Sequence, residues 1–298
     1  MLRVWNLIVV WLWSFPLWAW GGLGHYVTAA IALRQLNPST LMQVRNILGR
    51  EDFVQASTWA DGIKKDNSFK QTYTYHFASI PDRADYLETL AGLSPVERDK
   101  GDVLMAILKA QSVLRDGVAT AAQKKYSLKF LIHFLGDLHQ PLHTGRPEDR
   151  GGNDVPLHWF GHEDNLHHVW DTSIMETAHA EDFKGKSPRE RATWYADFLE
   201  SRHRPPPCDP DIEAWLNQAL KLRPVAYDQS GKDSSTHLSK ALPIVEEQLA
   251  LAGHHMACAL NSLFADAAVV PEKERSFRTR MERALRATFE DWIRLHPG

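Results

Sequence analysis

Residues 127–143 read SLKFLIHFLGDLHQPLH. From Ser127 to Gln140 the stretch is apolar almost all the way round, the pattern of a helix buried on every side. Pro141 lacks the amide proton a helix needs, so the helix is predicted to stop there. A buried central helix needs other helices packed on it, and the chain supplies candidates. Helical patterning runs through Gly24–Leu36, Ser39–Leu48, Pro188–Arg202, Asp211–Leu222, Ser235–Phe264 and Pro271–Leu295. Ser94-Pro95-Val96-Glu97 is a capping box with proline at the first helical position, opening a helix predicted to run towards Arg115. Only Val155–Phe160, in a Gly- and His-rich stretch, suggests a short strand or hairpin. The predicted fold class is all-α: a single-domain helical bundle from Trp20 to Gly298 with a short β-hairpin or loop insertion. His203-Arg204-Pro205-Pro206-Pro207-Cys208 is read as a stiff connector within that bundle.

The central helix carries two polar residues that an apolar setting tolerates only with partners. His133 and Asp137 are spaced i, i+4 and project from one face. A lone pair of this kind is most simply a buried hydrogen bond, but His143 follows just beyond Pro141. A second cluster, Asn165-Leu166-His167-His168-Val169-Trp170-Asp171-Thr172, repeats the pattern. Either His167 (i, i+4) or His168 (i, i+3) can reach Asp171, and periodicity does not choose. Upstream, Ser57-Thr58-Trp59-Ala60-Asp61 offers a carboxylate with Lys64 one turn on, and Tyr73-Thr74-Tyr75-His76-Phe77 offers a histidine. Imidazole and carboxylate together suit zinc, so the clusters point to metal binding.

The chain opens with MLRVWNLIVVWLWSFPLWA, one cation (Arg3) ahead of an apolar core from Leu7 to Trp13. This reads as a signal peptide over residues 1–19, cleaved after Ala19, which predicts export to a periplasmic or extracellular compartment. Pro16 and the short apolar run argue against a membrane anchor, since a spanning helix wants ~20 apolar residues. No membrane partner is expected after cleavage, and nothing points to a particular oligomeric state. With 34 Lys+Arg against 37 Asp+Glu, the chain lacks the basic bias by which many proteins hold nucleic acid. Two cysteines, Cys208 and Cys258, are compatible with one disulfide if they meet.

The set WGGLGH, STWAD, YHF, HFLGDLHQPLH, GGN and NLHHVWD, in that order between Trp20 and Asp171, resembles the secreted zinc-dependent nucleases of the S1/P1 family. The resemblance implies three zinc ions. One would be held by Asp61, His76, His133 and Asp137. A second would take His25, the bridging Asp137, and Trp20 through the α-amine that cleavage frees and its carbonyl. The third would be bound by His143, with His167 rather than His168, and Asp171. Gly21, Gly22 and Gly24 would let the backbone approach a metal. Three dications outweigh the three aspartates, so phosphate can be attracted with few lysines. Asp61, Lys64 and Asp137 are the implied catalytic residues, and Lys64, Phe77 and Asn153 the implied substrate contacts. The implied reaction is hydrolysis of RNA and single-stranded DNA to 5′-phosphate products, with 3′-nucleotidase action on mononucleotides as a possible companion. Ser79 departs from the family, standing where an aspartate contacts the base. The runner-up is a zinc phospholipase C, whose last ligand is typically glutamate where Asp171 stands here. A non-catalytic zinc-binding protein is the third reading, resting on the fifteen histidines.

Overall fold

The computed structural model describes residues 20–228, 233–265 and 270–285; the leader expected over residues 1–19 lies outside them. The architecture is all-α, with a single two-stranded sheet among the described residues. The central helix runs over Ala121–Asp137, starting earlier and ending sooner than its apolar stretch predicts. Thr120 and Gln123 form a capping box that extends the helix back through polar turns. At the other end, Pro141 forces Gln140 into an extended conformation (φ −84°, ψ 118°), and Leu138–Gln140 make a tight turn instead of further helix. That early stop leaves Asp137 in the last helical turn.

Around this axis pack the first helix (Gly22–Gln35), the helix Val103–Arg115 and the long helix Ser234–Ala265. The helix predicted from Ser94 towards Arg115 is two. Pro95–Lys100 ends at Gly101, whose φ of +68° no helix accommodates, and Asp102 restarts the chain by capping the amides of Leu104 and Met105. The hairpin pairs Pro156–Trp159 with His162–Asn165 through a turn at Phe160 and Gly161, both at positive φ. The helix predicted over Pro271–Leu295 is described as Glu272–Leu285; the rest lies outside the described residues. Pro38–Leu48 and Pro188–Arg202 fall close to their predicted spans, while Ile212–Tyr227 continues through Pro224 past its predicted end at Leu222 and so carries Arg223. One cluster of buried apolar side chains extends from Trp20 to Met281. Among the described residues no helix is long and apolar enough to cross a membrane.

Cys208 and Cys258 form a disulfide, tying the proline-rich connector to the long helix. The first and long helices cross at Gly253, where a Cβ would lie 2.5 Å from Ile31 Cβ and 3.0 Å from the Thr28 carbonyl. Gly253→Ala is therefore expected to destabilise the fold by about 1–3 kcal/mol through overpacking. Gly92→Ala, with nothing within 4 Å, serves as the control. Equal melting temperatures for the two variants would contradict this account of the crossing.

Candidate metal centre

The first helix begins under clamp. The buried Trp20 indole donates through Nε1 to the Gly136 carbonyl at 3.0 Å, and the Gly21 amide donates to the Asp171 carbonyl at 2.9 Å. These bonds hold the start of the helix between the end of the central helix and the turn carrying Asp171. The glycines there are tight against protein. A Cβ at Gly21 would meet Thr172 Oγ1 at 2.3 Å and one at Gly24 would meet Trp20 Cβ at 2.9 Å, while Gly22 has ordinary room. Gly21 and Gly24 thus serve close chain–chain approach at the start of the helix, a role beside the approach to a metal expected of all three, while Gly22 meets no such constraint.

Asp137 is fully buried and uses both carboxylate oxygens. Oδ2 lies 3.0 Å from His76 Nδ1 and 3.2 Å from His133 Nε2. Oδ1 lies 3.3 Å from His25 Nε2 and 3.7 Å from His143 Nδ1. Asp61 Oδ1 stands 3.6 Å from His133 Nε2 and 3.9 Å from His76 Nδ1, with Lys64 Nζ 2.6 Å away. On the far side of His143, Nε2 is 3.7 Å from Asp171 Oδ1, and Asp171 Oδ2 is 3.2 Å from His167 Nε2. Donor atoms gather in three groups, each spanning no more than 4.8 Å: His25/Asp61/His133, His76/His133/Asp137 and His143/His167/Asp171. The geometry adds one feature to the expected sets: His25 stacks on His133, ring centroids 3.8 Å apart, and so also groups with Asp61.

The donor chemistry fits dications. His133 Nδ1 donates to the Ser57 carbonyl at 2.6 Å and His167 Nδ1 to the Gly151 carbonyl at 2.7 Å. Each bond leaves the Nε2 lone pair facing the cluster, the usual way a second partner orients a ligating imidazole. His25 Nδ1, Asp61 Oδ2, His76 Nε2 and His143 Nδ1 are buried with no hydrogen-bond partner among the described residues. Burial, with Lys64 beside it, pushes His76 down to about 3, and burial pushes His143 down to about 4, so both are neutral bases. Burial alone raises the Asp61 carboxyl, yet His133, Lys64 and His76 hold it down to about 2. Buried lone pairs and carboxylates converging in this way repel one another unless a cation sits among them.

His168 is excluded from this arrangement. It turns outwards, half-buried, to pair with Asp164 at 2.8 Å. His254 and His255 lie elsewhere, the first hydrogen-bonded with Gln35 and the second stacked on Trp215. Two supports escaped the sequence reading. Buried Gln140 donates to Asp171 Oδ1 at 2.6 Å, and its signal was a polar residue closing an apolar stretch. Buried Arg223 donates to the carbonyls of Ile80 and Thr144, fixing the segments after His76 and His143. Its partners lie so far along the chain that no local pattern marks it.

His76, His143 and His167 line a cleft of about 130 Å³ with Lys64, Tyr73, Phe77, Ser79, Arg150 and Asn153. Tyr73 and Phe77 meet edge to face, ring centroids 6.0 Å apart. Asn153 donates to the Arg150 carbonyl at 2.8 Å, which makes it a turn residue as well as part of the wall.

The family described as S1/P1 Nuclease matches residues 20–265. Endonuclease 3 of Arabidopsis thaliana is 28% identical over 274 residues, covering 83% of this chain and 89% of its own length. Nuclease S1 of Aspergillus oryzae is 29% identical over 273 residues, covering 82% and 91%. Nuclease P1 of Penicillium citrinum is 31% identical over 169 residues, covering 53% and 58%.

Proposed function

The chain belongs to the S1/P1 nuclease family and hydrolyses phosphodiester bonds; from that premise we propose that it is an exported three-zinc endonuclease cutting RNA and single-stranded DNA to 5′-phosphate products. One observation carries the reading: Asp137 turns one oxygen to His76 and His133 and the other to His25 and His143, the posture of a bridging ligand. Asp61, His76, His133 and Asp137 would hold one ion. His25 and Asp137 would hold the second with the Trp20 amine and carbonyl, and His143, His167 and Asp171 the third. Bound zinc would supply Lewis acidity, lowering the pKa of water to about 7 and offsetting charge at phosphorus.

The chain's own residues do the rest. Lys64, close to Asp61 on the cleft wall, places a positive charge where negative charge grows on the phosphoryl group. Tyr73 and Phe77 offer a ring edge and face to a base, and stacking of this kind tolerates any base. A cleft of about 130 Å³ takes a base only when it is splayed from its neighbours, which favours single strands. Asn153, which lines the cleft with His143 and His167, would contact the nucleotide there. Ser79 brings a small hydroxyl in place of a carboxylate, so weak base preference is expected. With its base in this cleft and its phosphate at the metals, a 3′-mononucleotide would be cut by the same chemistry, and 3′-nucleotidase activity is expected alongside.

The test joins three measurements on the exported protein. Amino-terminal sequencing is expected to begin at Trp20, metal analysis to give three zinc ions per chain, and denatured DNA to be cut faster than duplex. A form retaining one alanine ahead of Trp20 should carry two ions and act at least about tenfold more slowly. Full activity in that extended form would remove the terminal amine from the site. A choline phospholipid assayed in parallel is expected to remain intact.

A further inference from the structure

The segment from Phe77 to Ile80 separates the metal cleft from a second hollow. It leaves the preceding turns extended, with φ −150° and ψ 163° at Phe77. Extended backbone sends alternate side chains to opposite sides. Ala78 and Ile80 are accordingly buried, while Ser79 is exposed and Phe77 partly so. Hydrogen bonds fix the segment on both flanks. The amides of Ala78 and Ile80 donate to the carbonyls of His143 and Gly145, and the Phe77 carbonyl accepts from the Val103 amide at 3.2 Å. Beyond it lies a cavity of about 350 Å³ that shares Phe77, Ser79 and Pro147 with the metal cleft. Leu90, Leu93 and Met105 give it an apolar wall. Arg98 and Lys100 line it from the short helix Pro95–Lys100, whose end at Gly101 shapes the mouth. Glu97 and Asp102 also line it, but their carboxylates are engaged: Glu97 accepts from Ser94 in the capping box, and Asp102 accepts from the Tyr86 hydroxyl and the Leu104 and Met105 amides.

We propose that this cavity is a second nucleoside subsite, taking the nucleoside next to the one at the scissile phosphodiester on the same strand. The inference rests on the nuclease reading and extends it to substrate length. Three features favour this occupant. The cavity adjoins the cleft across the shared wall of Phe77 to Ser79, its volume lies in the ordinary range for ligand sites, and it pairs an apolar wall with two cations suited to a linking phosphate.

The test measures binding of phosphorothioate-linked oligothymidylates of two and three residues by fluorescence anisotropy, with cleavage of the natural oligomers followed in parallel. Wild type is expected to bind the trimer about tenfold more tightly than the dimer. The double variant Arg98→Gln/Lys100→Gln and the cavity-filling Thr89→Trp should each bring the trimer down to the dimer's affinity and leave the dimer unchanged. Equal affinity for both lengths in wild type, or equal losses for both in the variants, overturns the subsite. If the dimer is still cut under those results, the subsite alone fails; if no oligomer is cut, the reading beneath it fails.

Discussion

Asp137→Asn is expected to slow hydrolysis of denatured DNA by well over a hundredfold and to lower the bound metal below three ions per chain. The side chain is the same size, so the effect is one of charge and donor chemistry. Asp137 is the carboxylate between four imidazoles, with His76 and His133 on one oxygen and His25 and His143 on the other. An amide replaces one of those oxygens with an NH₂ group, which points protons at lone pairs that should face a cation. Changing a residue that merely orients a ligand typically costs 10–100-fold, so changing the shared ligand should exceed the upper end. Metal analysis after dialysis, circular dichroism and hydrolysis assays are read together. Unchanged helix content with lost metal and lost turnover is the expected combination. A variant holding three ions and cutting at near wild-type rates would mean that Asp137 bridges nothing.

How far this site was legible depends on which residues carried it. The central helix declared itself through an apolar stretch interrupted by His133 and Asp137, a costly interruption without partners. Spacing alone went no further, as the pairs around residues 164–171 show. Asp164–His168 and His167–Asp171 share the i, i+4 interval, yet the first is a half-buried pair turned away from the cluster and the second faces His143. Asp164→Asn is accordingly expected to leave hydrolysis within about twofold, since Asp164 holds His168 and Ser173 and none of the clustered donors. The resemblance, not periodicity, selected His167. Residues 53–76 gave little warning of their form. They fold as two four-residue helices, a three-residue 3₁₀ turn and a ten-residue 3₁₀ segment, either too short for or out of step with the α-helical period, yet they carry Asp61, Lys64 and His76 into the cluster. Gly101 ends the helix that its capping box opens, because its positive φ stops the charged turns of Pro95–Lys100 before the apolar run that begins at Val103. The second cavity depends on that break and on a segment twenty residues upstream, a juxtaposition that exists only after folding.

Removing the disulfide with Cys208→Ala/Cys258→Ala is expected to lower stability by about 4 kcal/mol while leaving metal content and hydrolysis near wild type at 25 °C. The bridged residues are 50 positions apart in the chain, and closing a loop of that length removes much freedom from the unfolded state. The folded state should survive the loss because other ties span the same junction. Trp215, on the helix Ile212–Tyr227, stacks on His255 of the long helix with ring centroids 4.3 Å apart. His255 in turn is hydrogen-bonded to His139, just past the end of the central helix, at 2.7 Å. The helix that carries Arg223 therefore stays docked, and the carbonyls of Ile80 and Thr144 keep their donor. Thermal melts of wild type with and without reductant, beside the double variant, check the expectation. Reduced wild type should match the variant, both well below the oxidised protein. An unchanged midpoint on full reduction would show that Trp215, His255 and the surrounding core hold this junction unaided.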